Sequence, residues 1–355
     1  MSILDEYIVA QPKSKIKAGE GKNKGKYKFF NSSNVQTKFY DEYQYDKPAL
    51  IFGTGGNASV HYCDVPFSTS TDCIVFYARN ESVDLKLIYI FISLNMHLLE
   101  SGFKGIGIKH ISKSYIQNIE VKIPEKALHT MITKSYDRIC DLIINRNKQL
   151  SKLDELVKAR FVELFGDPYI NDKNWTMKTF GDICTVRQGL QIPISKRLTQ
   201  YEEDCYEYIT VSYLHGSKDR EYIKSPKSTV ICTKDDILMT RTGNTGMVVT
   251  DVEGVFHNNF FLIDFDRTKY SKRFLVEYLN LDLIQTEIIK RAGTSTIPDL
   301  NHGQFYAISI YEPPIELQNK FATFVEQTDK SKLEIKQSLE KMELLKKALM
   351  QKYFG

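Results

Sequence analysis

Two stretches of the chain place apolar side chains at steps of three and four. The first runs through Ile132, Tyr136, Ile139, Ile143, Leu150, Leu153 and Val157, with Arg146 at the one step left open. The second runs through Phe321, Val325, Thr328, Ile335, Leu339, Met342, Leu345 and Leu349. That spacing predicts two amphipathic helices, each with a heptad-like stripe. No glycine or proline interrupts either stretch. Pro124 and Pro313 stand where a helix starts, and Gly166 and Gly355 where one ends. At about forty residues each, the helices are about 60 Å long. A stripe of that length is not stable exposed to water. Two arrangements cover it: each helix packs on the domain before it, or the two stripes face each other as an antiparallel pair. The second is the more economical, and it holds the two preceding domains apart about a pseudo-two-fold axis.

Outside the helices the pattern is mixed. Residues 206–212 and 255–265 alternate as strands do, whereas residues 84–99 and 272–289 have helical spacing. The expected fold class is α+β: two repeated domains, 1–123 and 167–312, separated by long antiparallel helices, 124–166 and 313–355, that form a coiled coil.

The repeat is visible by offset. Laying Phe165-Gly166 over Phe354-Gly355 is a shift of 189 residues. At that shift Leu156 meets Leu345, Leu128 meets Leu317, Pro124 meets Pro313, Val121 meets Ile310 and Ile111 meets Leu300. Further back, Phe76 meets Phe265, Ile74 meets Ile263 and Phe67 meets Phe256. A slip of one residue brings Thr54-Gly55 onto Thr242-Gly243. Tyr27–Phe30 resembles Tyr206–Ile209 at a shorter offset, so the first copy lacks residues near its start.

Composition narrows the function. The chain has 355 residues, 42% of them apolar, enough for two cored domains. A net charge of +4 permits a nucleic-acid partner without demanding one. The six cysteines form no C-x-x-C pair. His61 with Cys63 is the one close pairing of metal-ligand types and lacks a second pair at zinc spacing, so no metal is expected. The most apolar run, Leu87–Leu94, is far shorter than the ~20 residues of a membrane span, and the first residues do not read as a signal peptide. These features predict a soluble, cytoplasmic protein with reduced thiols and no membrane partner.

Each copy carries a Gly/Thr/Asn loop after an apolar strand, followed later by a small-residue or basic segment. In the first copy the candidate DNA-binding residues are Thr54, Gly55, Asn57, Lys104, Lys109 and His110. In the second they are Arg241, Thr242, Asn244, Thr245, Thr294, Ser295, Thr296, Asn301 and His302. Glycines let backbone N–H groups approach phosphates, and Arg, Asn, Thr and His contact phosphates or base edges. An ordinary hairpin turn has the same composition. Lys13, Lys15, Lys17, Lys22, Lys24, Lys26 and Lys28 form a run that either neutralises phosphates or is a solvated flexible loop.

A catalytic site is not legible. Phe52-Gly53-Thr54-Gly55 opens no helix and precedes no strand with a closing acid, as a cofactor loop requires. Glu312-Pro313-Pro314-Ile315 lacks the leading Asn/Asp and following aromatic residue of an adenine methyltransferase loop. There is no P-loop, no H-E-x-x-H and no nucleophile elbow.

The segment Leu153–Asp167, reading LDELVKARFVELFGD, closely resembles the helix end of specificity subunits of Type I restriction-modification enzymes. Trp175, Phe180-Gly181-Asp182-Ile183 and Gly189 resemble the opening of that family's target recognition domains. Pro313–Gln318 with Phe321 resembles the start of its second spacer helix. The resemblance covers nearly the whole chain and is weakest over residues 1–50. It implies a non-catalytic subunit in which each target recognition domain reads one half of a bipartite, asymmetric DNA site and the paired helices act as a ruler. A 60 Å helix limits that ruler to about eighteen base pairs. The resemblance further implies double-stranded DNA, two modification subunits and restriction subunits as partners. S-adenosylmethionine, ATP and Mg would serve those partners, with no cofactor bound by this chain. The alternatives are a coiled-coil protein–protein adaptor without DNA specificity, a specificity subunit of a related methyltransferase-nuclease system, and a fused methyltransferase.

Overall fold

The computed structural model describes residues 2–105, 107, 109–217, 219–293 and 298–354. The long helices are His129–Phe165, entered through a 3-10 turn at Lys126–Leu128, and Ile315–Phe354. At 37 and 40 residues they are about 55 and 60 Å long. Gly166 ends the first helix: its φ of +80° suits glycine, and its N–H donates to the Val162 carbonyl at 2.8 Å. Gly355 lies outside the described residues.

The chain forms two compact units, residues 1–148 with 336–355 and residues 149–335. In the first unit a four-stranded antiparallel sheet runs in the order Ile8–Ala10, Cys73–Ala78, Ala49–Gly53, Ser59–Cys63. A second sheet orders Lys38–Tyr40, Tyr27–Phe30 and Phe67–Thr69, the last pair parallel. In the second unit the four-stranded sheet runs Cys184–Gln188, Phe260–Phe265, Ile237–Thr240, Val248–Val249. Its second sheet orders Tyr222–Lys224, Cys205–Ile209, Gly254–Phe256 and Ile231–Cys232. A two-stranded ladder closes each domain, Ser2–Ile3 with Glu120–Val121 and Thr176–Thr179 with Ser309–Glu312.

These pairings confirm the duplication and correct its register. The short strands that precede the long helices keep the shift of 189, with Val121 and Ile310 in equivalent positions. In the sheets the shift is 187: Cys73–Ala78 corresponds to Phe260–Phe265 and Phe67–Thr69 to Gly254–Phe256. Phe76 therefore stands opposite Ile263 in the repeat rather than Phe265, and Ile74 opposite Phe261. The error equals the side-chain period of a strand, so burial alternation fits both registers equally well. The shift falls to 185 at the break in the following helix, where Asn95 corresponds to Asn280, and is 189 at the short helices Lys113–Gln117 and His302–Tyr306. Tyr27–Phe30 does match Tyr206–Ile209: Phe30 pairs with Thr69 as Ile209 pairs with Phe256.

The expected helices 84–99 and 272–289 are each two helices, Leu85–Leu94 with His97–Glu100 and Lys272–Leu279 with Asp282–Ala292. One device breaks both. Asn95 and Asn280 turn their side-chain amides back onto the carbonyls of Phe91 and Val276, each at 2.9 Å.

The long helices run antiparallel in each unit. In the second, Phe161 and Phe165 meet Phe321 at 5.4 Å between ring centroids, while Asp154 pairs with Lys332 at 2.6 Å. In the first, Lys346 lies over the Tyr136 ring at 5.3 Å, and Ile143 and Leu339 line one cavity. The stripe also enters the domain cores. Ile132, Tyr136, Met350 and Phe354 join the core of the first unit. Val157, Phe161, Phe165, Phe321 and Val325 join that of the second. Leu345 departs from the expected stripe. It is exposed, and Met350 is buried instead.

Glu277 lies where the helix Lys272–Leu279 meets the long helices, and its side chain is 21% exposed. Burial raises its carboxyl pKa, against the opposing charges of Arg273 and Lys332. A raised carboxyl favours the protonated form in the fold. Its contribution to stability is therefore present below the unfolded-state value and lost as pH rises through the folded-state value. E277Q, fixed in the neutral state, is expected to melt above wild type near pH ~7 and to converge with it near ~4, the unfolded carboxyl range. A melting temperature below wild type at neutral pH would show that the Arg273 pairing outweighs burial.

Candidate nucleic-acid interface

In the first domain Thr54–Asn57 follows the strand Ala49–Gly53. The Thr54 N–H and hydroxyl both donate to the Asp72 carbonyl, at 2.8 and 2.9 Å. The Ile111 N–H donates to the Thr54 carbonyl at 3.1 Å, and His110 Nδ1 lies 3.1 Å from the same oxygen. Lys104 and His110 exchange backbone hydrogen bonds at 2.9 and 3.0 Å. The loop and the basic segment are thus fastened to each other. Asn57, Lys104, Lys109 and His110 remain exposed. Gly56, Asn57 and Lys109 line an open cavity of about 620 Å³ with Asn34, Met96 and Phe103.

The second domain repeats the fastening. The Leu300 N–H donates to the Arg241 carbonyl at 2.9 Å, and Thr242 bridges to Asp299. These bonds set Thr54 equivalent to Arg241 and Gly55 to Thr242, one residue away from the expected match. The side chains differ in use. Arg241 Nη2 reaches both Asp299 carboxylate oxygens at 2.9 Å and is 20% exposed. Thr245 is buried and donates to the Pro298 carbonyl at 2.8 Å. Asn301 caps the helix His302–Tyr306 by accepting from the Gln304 N–H at 2.9 Å. His302 packs edge-on against Phe261 at 5.9 Å. Asn244 is exposed. Thr294, Ser295 and Thr296 lie outside the described residues.

The lysine run is not a loose loop. Ser14 is buried and donates to the Thr69 carbonyl at 2.6 Å. The Thr71 N–H donates to the Ile16 carbonyl at 2.8 Å, and Lys22 exchanges backbone bonds with Phe39. Lys22 also pairs with Asp41. All seven lysines are exposed on this fastened segment.

A cleft of about 690 Å³ in the second domain was not among the expected sites. It is assembled from residues 197, 199, 208, 210–213, 217, 219–221, 257 and 259, which share no motif. The available signal was length. The second copy has more residues between Cys205–Ile209 and Tyr222–Lys224 than the first has between Tyr27–Phe30 and Lys38–Tyr40.

Elsewhere, His61 Nε2 lies 2.8 Å from the Ser33 carbonyl and Cys63 Sγ donates to Val65, so both are engaged singly. Among the described residues no group of three or more His, Cys, Asp or Glu side chains could hold a metal ion. Among them, too, no helix is long and apolar enough to cross a membrane.

A duplicated sheet-and-helix domain with two long paired helices is the arrangement of a specificity subunit, and the chain belongs to the family of Type I restriction modification DNA specificity domains, whose model matches residues 6–152 and 172–345. It is 22% identical over 331 residues to the Type I restriction enzyme MjaVIII specificity subunit of Methanocaldococcus jannaschii, covering 85% of this chain and 76% of that protein. The S subunit of a Type I restriction-modification system from M. genitalium has the same fold, with a TM-score of 0.65 at 17% identity. The match covers 100% of this chain and 95% of that one. A chain from a structure concerned with complex assembly and conformational transition of the type I R-M system matches with a TM-score of 0.58 at 13% identity. It covers 99% of this chain and 96% of that one. Specificity subunits of this family are non-catalytic.

Proposed function

We propose that this chain is the DNA-recognition subunit of a Type I restriction-modification complex and reads a bipartite, asymmetric duplex site, one half per domain. The duplication carries the reading. The same two-sheet domain occurs twice, each joined to the paired helices, while the connecting loops differ between copies. Two readers on one chain engage DNA bivalently, so the second half-site binds at high effective concentration.

Two modification subunits and the restriction subunits are its proposed partners, and they carry methyl transfer, translocation and cleavage. The long helices supply a surface for docking: Met131, Leu142, Ile144, Leu333, Leu344 and Leu345 are all more than two-fifths exposed. S-adenosylmethionine, ATP and Mg act in those partners on this reading, and the DNA substrate places the complex in the cytoplasm.

The test is co-expression with the candidate modification subunit and mapping of methylated adenines. A split motif with unlike halves is expected, with no methyl transfer by the purified chain alone. A continuous motif, or transfer by this chain alone, would overturn the reading. Salt-sensitive, sequence-dependent binding to duplex DNA separates it from a protein–protein adaptor.

A further inference from the structure

We propose that the second domain reads its half-site in the cleft beside the helix Val211–Leu214, where Arg220 pairs with a guanine edge and Tyr213 and Glu207 are its positioning residues. The proposal rests on the DNA-recognition reading above and assigns the residue through which one base pair is specified.

The location comes from comparing the copies. The glycine loops are fastened in the same way in both domains, so their backbone cannot account for unlike half-sites. The cleft lies where the copies differ. The first domain crosses from Phe30 to Lys38 without a helix. The second inserts Val211–Leu214, capped by Thr210, whose Oγ1 accepts from the Tyr213 N–H at 3.1 Å. Tyr208, Tyr213, Arg220, His257 and Asn259 line the space beyond it.

The role of Arg220 comes from contrast with two other arginines of the domain. Arg197 also lines the cleft, but it is a strut. Its guanidinium lies over Tyr208 at 5.0 Å, its Nη1 reaches both Glu221 oxygens, and its Nε and Nη2 donate to the Ile192 carbonyl. It is 17% exposed. Arg241 is committed to Asp299. Arg220 is held differently. Its guanidinium lies 4.3 Å from the Tyr213 ring centroid, and Nη1 meets Glu207 Oε1 at 3.1 Å. The Tyr213 hydroxyl donates to the other Glu207 oxygen at 3.1 Å. One ring and one carboxylate thus fix the guanidinium plane, while the side chain stays 43% exposed at the cleft.

A guanidinium fixed in plane and open to solvent is what bidentate pairing with guanine N7 and O6 needs, and preorganisation lowers the ordering cost. The surroundings favour a base over a phosphate. Among the described residues, Glu207, Asp219 and Glu221 offset the charges of Arg197 and Arg220. Burial lowers the pKa of the His257 imidazole that also lines the cleft, aided by the charge of Arg197 and opposed by that of Glu221.

The test uses the full chain co-expressed with its modification subunit, with methylated adenines mapped and DNA affinity measured against salt. Exchange of residues 170–312 first shows which half-site belongs to the second domain. R220A and R220K are both expected to lose discrimination at one G·C pair of that half-site, by about tenfold to a hundredfold, and to leave the first half unaltered. E207Q is expected to relax the same pair and no other, which a general loosening of the fold would not do. A melting curve is recorded for each variant beside wild type. R220K retains length and charge, so it reads the loss of bidentate geometry even where R220A is destabilised. Uniform weakening across sequences with a shallower salt dependence would make Arg220 a phosphate contact and overturn the proposal. An unchanged motif in R220K would also overturn it, while leaving the DNA-recognition reading intact. Absence of any split motif in the wild type would remove both.

Discussion

Replacing Phe161 with alanine is expected to lower the stability of the second unit by about 3–5 kcal/mol, the usual cost of deleting a large aromatic side chain from a core. Phe161 is fully buried and stacks on Phe274 at 5.5 Å with an interplanar angle of 16°. It also touches Phe165 at 4.8 Å and Phe321 at 5.4 Å. One ring thus joins the first long helix, the second long helix and the domain helix Lys272–Leu279. Domains of this kind are stable by only about 5–15 kcal/mol, so the loss is a large fraction of the whole. Leu156, five residues earlier and 48% exposed, supplies the control: L156A is expected to stay within about 0.5 kcal/mol of wild type. Urea unfolding of both variants checks the pair. A loss below ~1 kcal/mol for F161A would mean that the site collapses around the missing ring.

Exchanging residues 170–312 for the second domain of another family member is expected to change one half of the DNA target completely and leave the other half alone. The boundaries suit a graft. Ile170 is 75% exposed, and Glu312 ends the strand just before the second long helix. The constraint is aromatic: the incoming domain must present residues equivalent to Phe274, Tyr278 and Tyr311 to Phe161, Phe165 and Phe321. Mapping methylated adenines before and after reads the result. A change in both halves would sink the idea that each domain reads alone.

The helices were the most legible part of the sequence, because an uninterrupted stripe of about forty residues has few other interpretations. Their antiparallel pairing also followed from the stripe, although Leu345 shows that the seam turns near its end. The duplication was legible for a related reason: proline, Phe-Gly and apolar positions repeat together at 189. The same signal misled in the sheets, because a shift of two residues returns every side chain to its own face. The glycine loops could be located, but not the use of their side chains. Arg241 and Asp299 meet across 58 residues of sequence, and no local pattern announces such a pair. The cleft holding Arg220 was harder still, since three separated segments build it and only a difference in loop length marks the place.

The two closing ladders have one more consequence. In the second unit Phe165 ends a long helix, and the ladder that pairs Lys178 with Ile310 begins at Thr176, a short loop later. In the first unit Phe354 and Ser2 hold the same two places: Phe354 ends a long helix, and Ser2 opens the ladder to Val121. Leu4 and Phe354 share one core there. Residues 166–175 span the first of these two seams, and a linker joining Phe354 to Ser2 would span the second. A circular permutant that spans the second seam and opens the first would keep each strand pair and each helix contact described above.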